Sequence, residues 1–293
     1  MFPLVKDTVK EWQNDDATRL AASLSVYTLL SLAPLLVIAV SVAGLVFGAD
    51  AARGRISEEI SAVVGTQAGQ AIEGMIANAR SPEKGVLSTA IGVAVLLFGA
   101  SGVFGELQTA LNRMWEVKPK PGRGIRGFIR DRFFSFSMVM GVAFLLLVSL
   151  VVSAGVVAAT SYFSHIIPLP ALWHILNLLV GLGLTTLVFA LTFKTVPDAK
   201  TAWRDVWIGG FVTAVLFSIG RTALAWYVGR ASTTSAFGAA GSLVALIVWV
   251  YYSAQILFMG AEFTQVYASR RGSGIKPAEN AVRADDPKPQ ATS

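Results

Sequence analysis

The chain has 293 residues, of which 54% are hydrophobic and only 14% charged, well below the roughly 25% charged residues of a soluble globular domain. It has no cysteine, which excludes disulfide staples, thiolate metal sites and cysteine nucleophiles. The formal net charge of +6 would suggest a nucleic-acid partner in a soluble protein, but in a membrane protein it is first a topology signal.

Residues 1–19, MFPLVKDTVKEWQNDDATR, lack the apolar core and small-residue cleavage site of a secretory signal and are expected to be retained. Leu4, Val5, Val9 and Trp12 recur at helical spacing away from Lys6 and Lys10, which predicts a short helix lying on the cytoplasmic surface. Six segments are then long and apolar enough to cross about 30 Å of hydrocarbon: 20–48, 85–107, 134–160, 171–195, 204–229 and 238–267. The expected fold class is therefore all-α, a polytopic membrane protein with six transmembrane helices plus amphipathic N-terminal and outer-loop helices.

Pro34 sits in the middle of the first of these segments, where it removes a backbone hydrogen bond and predicts a kink. The segment 49–84 reads as an outer amphipathic helix or hairpin, with Ile56, Ile60, Val63, Ile72 and Ile76 recurring at helical spacing. The second span ends in GASGVFGELQTALNRMWEV, where Gly99, Ser101, Gly102 and Gly105 permit close helix approach. Glu106, Thr109 and Arg113 share a face there, with Asn112 beside it, either as an exit into water or as the floor of a cavity. Pro197 stops the fourth span, and Trp203 and Trp207 suit a membrane interface.

From Phe237 to Tyr267 the chain runs 31 residues with one charged side chain, Glu262. A carboxylate inside such a segment costs about 2.5–3.5 kcal/mol, so it must be hydrated, protonated or paired. Tyr252, Gln255, Met259 and Glu262 share one helical face, and a polar stripe of this kind belongs inside a bundle. Arg221 is the other intramembrane charge. Helical rise puts it about 24 Å from the cytoplasmic end of its span and Glu262 about 8 Å from its own, so the two are expected to stay apart. Glu106, Arg19, Lys194 and Arg132 are then the candidate neighbours of Glu262, and carbonyls or a lipid phosphate those of Arg221. Beyond Ser269 the composition predicts a disordered tail over 269–293.

Alternate compartments hold very unequal numbers of Lys and Arg, 18 against 5, with Arg221 inside a span completing the total of 24. The positive-inside rule then places both termini in the cytoplasm. The charge excess is explained by orientation, so no nucleic-acid partner is expected. His165 and His174 lack acidic or basic partners in their segment, and no phosphate-binding glycine loop is present. Neither a cofactor, a metal nor an enzymatic activity is expected.

The stretches AASLSVYTLLSLAPLL at 21–36, FGASGVFGELQTALNRMW at 98–115 and FGAAGSLVALIVWVYYSAQILFMGAEFTQVYA at 237–268 resemble the YihY/BrkB family of bacterial inner-membrane proteins. The resemblance runs to about Ser269 and implies a six-helix inner-membrane protein. Some members have carried the name ribonuclease BN, read here as a misassignment, and others a virulence or serum-resistance label. Pro34, Glu106, Asn112, Pro197, Trp249, Tyr251, Tyr252, Gly260 and Glu262 fall where the family pattern has its recognisable residues.

The candidate substrate or pathway residues are thus Arg221, Glu262, Gln255, Tyr252, Glu106, Asn112 and Pro34. The leading expectation is a transporter or flippase of a lipid or other amphipathic molecule, with membrane lipids as partners. The alternative is a membrane scaffold that assembles with envelope proteins. A ribonuclease is a third reading, drawn from the basic loop Lys118–Arg132, which topology and anionic-lipid contact explain better.

Overall fold

The computed structural model describes residues 2–31, 102–120, 170–231 and 238–284, together with Gly48, Gly54 and Gly155. Helix α1 is Phe2–Asn14, followed across a turn by α2, helical over 17–31. Helix α3 is helical over 102–114 and leads into a short strand β1, Val117–Pro119. Helix α4 is Pro170–Thr195, β2 is Ala199–Lys200 and α5 is Trp203–Ala231. Helix α6, Gly238–Arg270, is followed by β3, Lys276–Pro277, and β4, Ala281–Arg283.

Three helices carry the membrane character. Leu178–Thr195, Trp203–Ala223 and Leu246–Arg270 are each long and apolar enough to cross a bilayer. They coincide with the fourth, fifth and sixth spans read from sequence. Their outer faces leave Leu178, Leu179, Ile219 and Phe211 exposed, as suits contact with lipid.

The expectation of six transmembrane helices is corrected here: among the described residues only these three qualify. The described parts of α2 and α3 cover only one end each of the first and second expected spans, 20–31 and 102–107. Helix α3 also carries Glu106, Asn112 and Arg113, all engaged by polar groups of other elements. The expected crossings at 85–107 and 134–160 lie largely outside the described residues, as do Pro34 and most of the outer segment 49–84.

Helix α5 packs between α4 and α6 by exposing backbone on two sides. A Cβ on Gly210 would come within 2.8 Å of the Ala190 nitrogen and the Thr186 carbonyl oxygen of α4. A Cβ on neighbouring Gly209 would overlap Thr264 of α6. The reverse holds across the same seam, where Gly260 of α6 faces Thr213 of α5. Small residues at these positions let helices approach closely without needing a water-driven hydrophobic force. Each threonine bonds back to the glycine four residues earlier, Thr213 to the Gly209 carbonyl and Thr264 to the Gly260 carbonyl, both at 2.7 Å.

A run of aromatic rings ties the layers together. Trp115, just after α3, lies 5.8 Å from Phe193 of α4, Phe189 of α4 meets Phe217 of α5 edge-on, and Phe217 meets Trp249 of α6. The buried core gathers Ala17, Ala21 and Leu24 of α2 against Leu111 and Met114 of α3, Trp115 just after it, and Phe258 and Ala261 of α6.

The strands were absent from the sequence expectation of an all-α chain, and they correct the reading of the tail as disordered throughout 269–293. The tail folds back instead. Arg271 and Gly272 N–H groups both bond to the Tyr267 carbonyl, and Gly274 takes φ +74, a left-handed conformation that glycine adopts at no steric cost. The tail then pairs antiparallel twice, β3 with β2 and β4 with β1. Residues 285–293 lie outside the described residues.

Helix α1 buries one side and exposes the other. Leu4 and Thr8 are buried and Glu11, Trp12 and Asp15 are partly covered, whereas Val5 and Val9 are 57% and 38% exposed. The buried stripe follows i, i+4, i+7 and i+8, as helical geometry requires, but it is a mixed polar stripe that docks on α6. Arg270 at the end of α6 holds Asp7 of α1 at 2.6 Å.

Candidate functional site

Glu262 is 0% exposed, and neither of its oxygens has a hydrogen-bond donor among the described residues. It sits on α6 about two turns before the helix ends at Arg270, flanked by Ala261 and Phe258 of the core. A carboxyl group in such a place is costly unless something satisfies it.

Its surroundings are carboxylic. Asp15, from the turn between α1 and α2, lies near enough to Glu262 for the two carboxyl groups to interact, and Glu11 and Glu116 add negative charge around the pair. Two carboxyl groups can bond to one another only with a proton between them. Asp15 is the more accessible partner, with a side chain 24% exposed, and it also accepts from Arg113 Nε at 3.4 Å. Burial pushes the Asp15 carboxyl above its ordinary range, against the lowering effects of the contact with Glu262 and of the Arg113 guanidinium.

The turn residues that deliver these groups have unusual backbones. Asp16 has φ 53 and Glu116 has φ 54, both in the left-handed region. Asp tolerates it through its short side chain, while a glutamate there costs roughly 1–2 kcal/mol. Arg113 Nη2 bonds to Asp16 Oδ2 at 3.1 Å, and Gln265 Nε2 reaches Glu116 Oε1 at 3.5 Å. The α1–α2 turn is thereby tied to α3, and the α3–β1 turn to α6.

The remaining candidate residues are distributed unevenly around this centre. Gln255 lies two turns from Glu262 on the same helix, and its Oε1 is another buried acceptor without a donor among the described residues. Tyr252, further along that face, is 37% exposed and packs its ring against Gly220 of α5. Arg221, beside Gly220, is exposed and has no ion pair among the described residues, so it stands level with Tyr252 and is not joined to Glu262.

Glu106 accepts from Ser23 Oγ at 2.5 Å and joins α3 to α2. Asn112 is 5% exposed and belongs to a different cluster, in which its Nδ2 donates to Asp198 Oδ2 at 3.0 Å and its Oδ1 accepts from the Asp198 N–H at 2.7 Å. Asn280 of the tail donates to the other Asp198 oxygen at 2.8 Å. Asn112 is therefore a clasp between α3, the α4–α5 connection and the tail.

The anticipated neighbours of Glu262 are engaged elsewhere. Arg19 pairs with Asp16, and Lys194 bonds to the Thr201 carbonyl while lying 5.5 Å from the Trp203 ring centroid. Arg132 lies outside the described residues. Asp15, Glu11 and Glu116 were missed because nothing in local spacing connects the N-terminal helix or the α3–β1 turn with the last span. The one available signal was Thr8 and Glu11 recurring with Leu4 and Asp15 on the face of α1 that docks.

Among the described residues no group of three or more His, Cys, Asp or Glu side chains is placed to hold a metal ion. The family model described as virulence factor BrkB matches residues 8–285. A UPF0761 membrane protein of Alkalilimnicola ehrlichii is 27% identical over 272 residues, which is 92% of this chain and 58% of that protein. A UPF0761 membrane protein of Mannheimia succiniciproducens is 26% identical over 271 residues, 89% of this chain and 88% of that protein. One from Vibrio cholerae is 30% identical over 188 residues, 62% of this chain and 59% of that protein. The chain spans 58% and 56% of the lengths of the Alkalilimnicola ehrlichii and Halorhodospira halophila relatives it matches. No solved structure matches it. Neither the family description nor these names carries a catalytic activity. With the family model covering nearly the whole chain and three apolar helices in place, the protein belongs to the virulence factor BrkB family and is a membrane protein.

Proposed function

We propose that this protein is a transporter or flippase that moves a lipid or another amphipathic molecule across the bacterial inner membrane, with both termini in the cytoplasm. The observation that carries the reading is Glu262, a fully buried carboxyl inside an apolar helix with no donor among the described residues. Residues of that kind are expensive and mark ion or substrate pathways. The exposed apolar faces of α4 and α5 provide the contact with membrane lipid.

A scaffold for envelope assembly is the second reading, and the Asn112–Asp198–Asn280 clasp favours it, because those polar groups are fully used in fixing helices to the tail. Reconstitution separates the two. Proteoliposomes that move a fluorescent phospholipid between leaflets support transport. If wild-type protein moves none, and Glu262→Gln changes only thermal stability, the scaffold reading stands instead.

A further inference from the structure

The charged groups that face Glu262 are Asp15 and Glu11 from the α1 side and Glu116 from the turn ahead of β1. The guanidinium groups on the elements packed there are engaged, Arg113 by Asp15 and Asp16, and Arg270 by Asp7. On α4 and α5, Lys194 is bonded to the Thr201 carbonyl and Asp205 accepts from the Ser273 N–H. No protein cation is thus committed to Glu262 among the described residues, although its oxygens are buried and unpartnered.

Carboxyl groups that meet in this way call for a small cation. A metal ion such as calcium takes six to eight oxygen ligands, and no group of three or more acidic or histidine side chains is placed to hold one among the described residues. A single proton can satisfy two neighbouring carboxyl groups, forming an O–H bond to one and a hydrogen bond to the other. We propose that Glu262 and Asp15 form a proton-binding site, and that the proton exchanged there is the ion coupled to transport. The second half rests on the transport reading above; the site itself does not.

The geometry gives the proton two ways to travel. Asp15 is partly exposed and opens the pair to water at the end of the bundle where α1 docks. On the other side, the unpartnered Gln255 Oε1 and then Tyr252 continue the polar line along α6 toward the middle of the span. With the proton in place α1 is held on α6. Without it two adjacent carboxylates repel across that contact, and the docked helix is released.

Infrared spectroscopy of the full chain in lipid nanodiscs at pH ~7.5, where an ordinary carboxyl is ionised, tests the site directly. The wild type is expected to show a carboxylic-acid carbonyl band that shifts in deuterium oxide, is lost in Glu262→Gln, is altered in Asp15→Asn and survives in Glu106→Gln. A folded wild type without the band, a band indifferent to Glu262→Gln, or a band removed by sodium ions at constant pH would overturn the proton site. Coupling is read separately, from fluorescent phosphatidylethanolamine in vesicles of phosphatidylethanolamine and phosphatidylglycerol under an imposed pH gradient. A several-fold loss of rate on adding a protonophore supports it, and an unchanged rate overturns the coupling while leaving the site. No lipid movement in any condition would sink the transport reading alone.

Discussion

Thr264 of α6 occupies the space that a side chain on Gly209 of α5 would need, and four residues along each helix Thr213 does the same to Gly260. The two Gly-x-x-x-Thr sequences run antiparallel and fill one another. Gly209→Ala would place its Cβ 2.8 Å from the Thr264 Cβ, and overpacking of this kind costs about 1–3 kcal/mol. Thr264→Ala removes the hydroxyl and methyl responsible for most of the overlap. Thermal denaturation in detergent is expected to show the double variant more stable than the sum of the single losses, by about 0.5 kcal/mol or more. Strict additivity would mean that the two residues do not share this contact.

Glu262→Gln keeps the side-chain shape and supplies an amide donor that Asp15 can accept. Replacing a buried carboxyl that lacks donors among the described residues by this group is expected to raise unfolding stability by about 1 kcal/mol. The same change removes the exchangeable proton, so gain of stability and loss of transport are expected together. A stability loss of several kcal/mol would show that Glu262 has a strong partner after all.

Asp15 sets the direction of a pH effect. Burial raises its folded-state value above the ordinary 3.8, so the folded protein binds a proton that the unfolded chain has already released. Stability from this group is complete below the unfolded value and declines as pH rises toward the folded one. Thermal melts between pH ~4 and ~8 are expected to show a downward slope that flattens in Asp15→Asn. An unchanged slope in that variant would assign the effect to another group.

Asn112→Ala leaves Asp198 with the Asn280 amide and takes away two hydrogen bonds. The expected cost is about 1–3 kcal/mol, concentrated in the clasp. Limited proteolysis is the sharper readout, with faster cleavage in 276–284 and little change in the span helices. Arg221→Ala, by contrast, is expected to shift stability by no more than about 0.5 kcal/mol, since Arg221 is exposed and has no ion pair among the described residues.

The last three apolar spans were legible because a mainly apolar stretch of 18 or more residues has few alternatives to crossing a membrane. Glu262 was legible for the same reason, as the one charge in such a run. Its partners were not. Asp15, Glu11 and Glu116 reach it through tertiary packing and through two left-handed turns, and helical periodicity carries information about only one helix at a time. On α1 the face that docks on α6 was not legible, because Thr8 can be buried once its hydroxyl bonds to the Leu4 carbonyl. The tail strands were invisible since two- and three-residue pairings leave no alternating pattern to read.

The most direct test of the account is the rate at which purified wild-type protein moves a fluorescent phospholipid between the leaflets of proteoliposomes, compared with Glu262→Gln confirmed to be folded. Movement well above that of protein-free vesicles, reduced to the vesicle background by Glu262→Gln, is the predicted result. Equal rates for the two proteins, or wild-type movement no faster than protein-free vesicles, would contradict it.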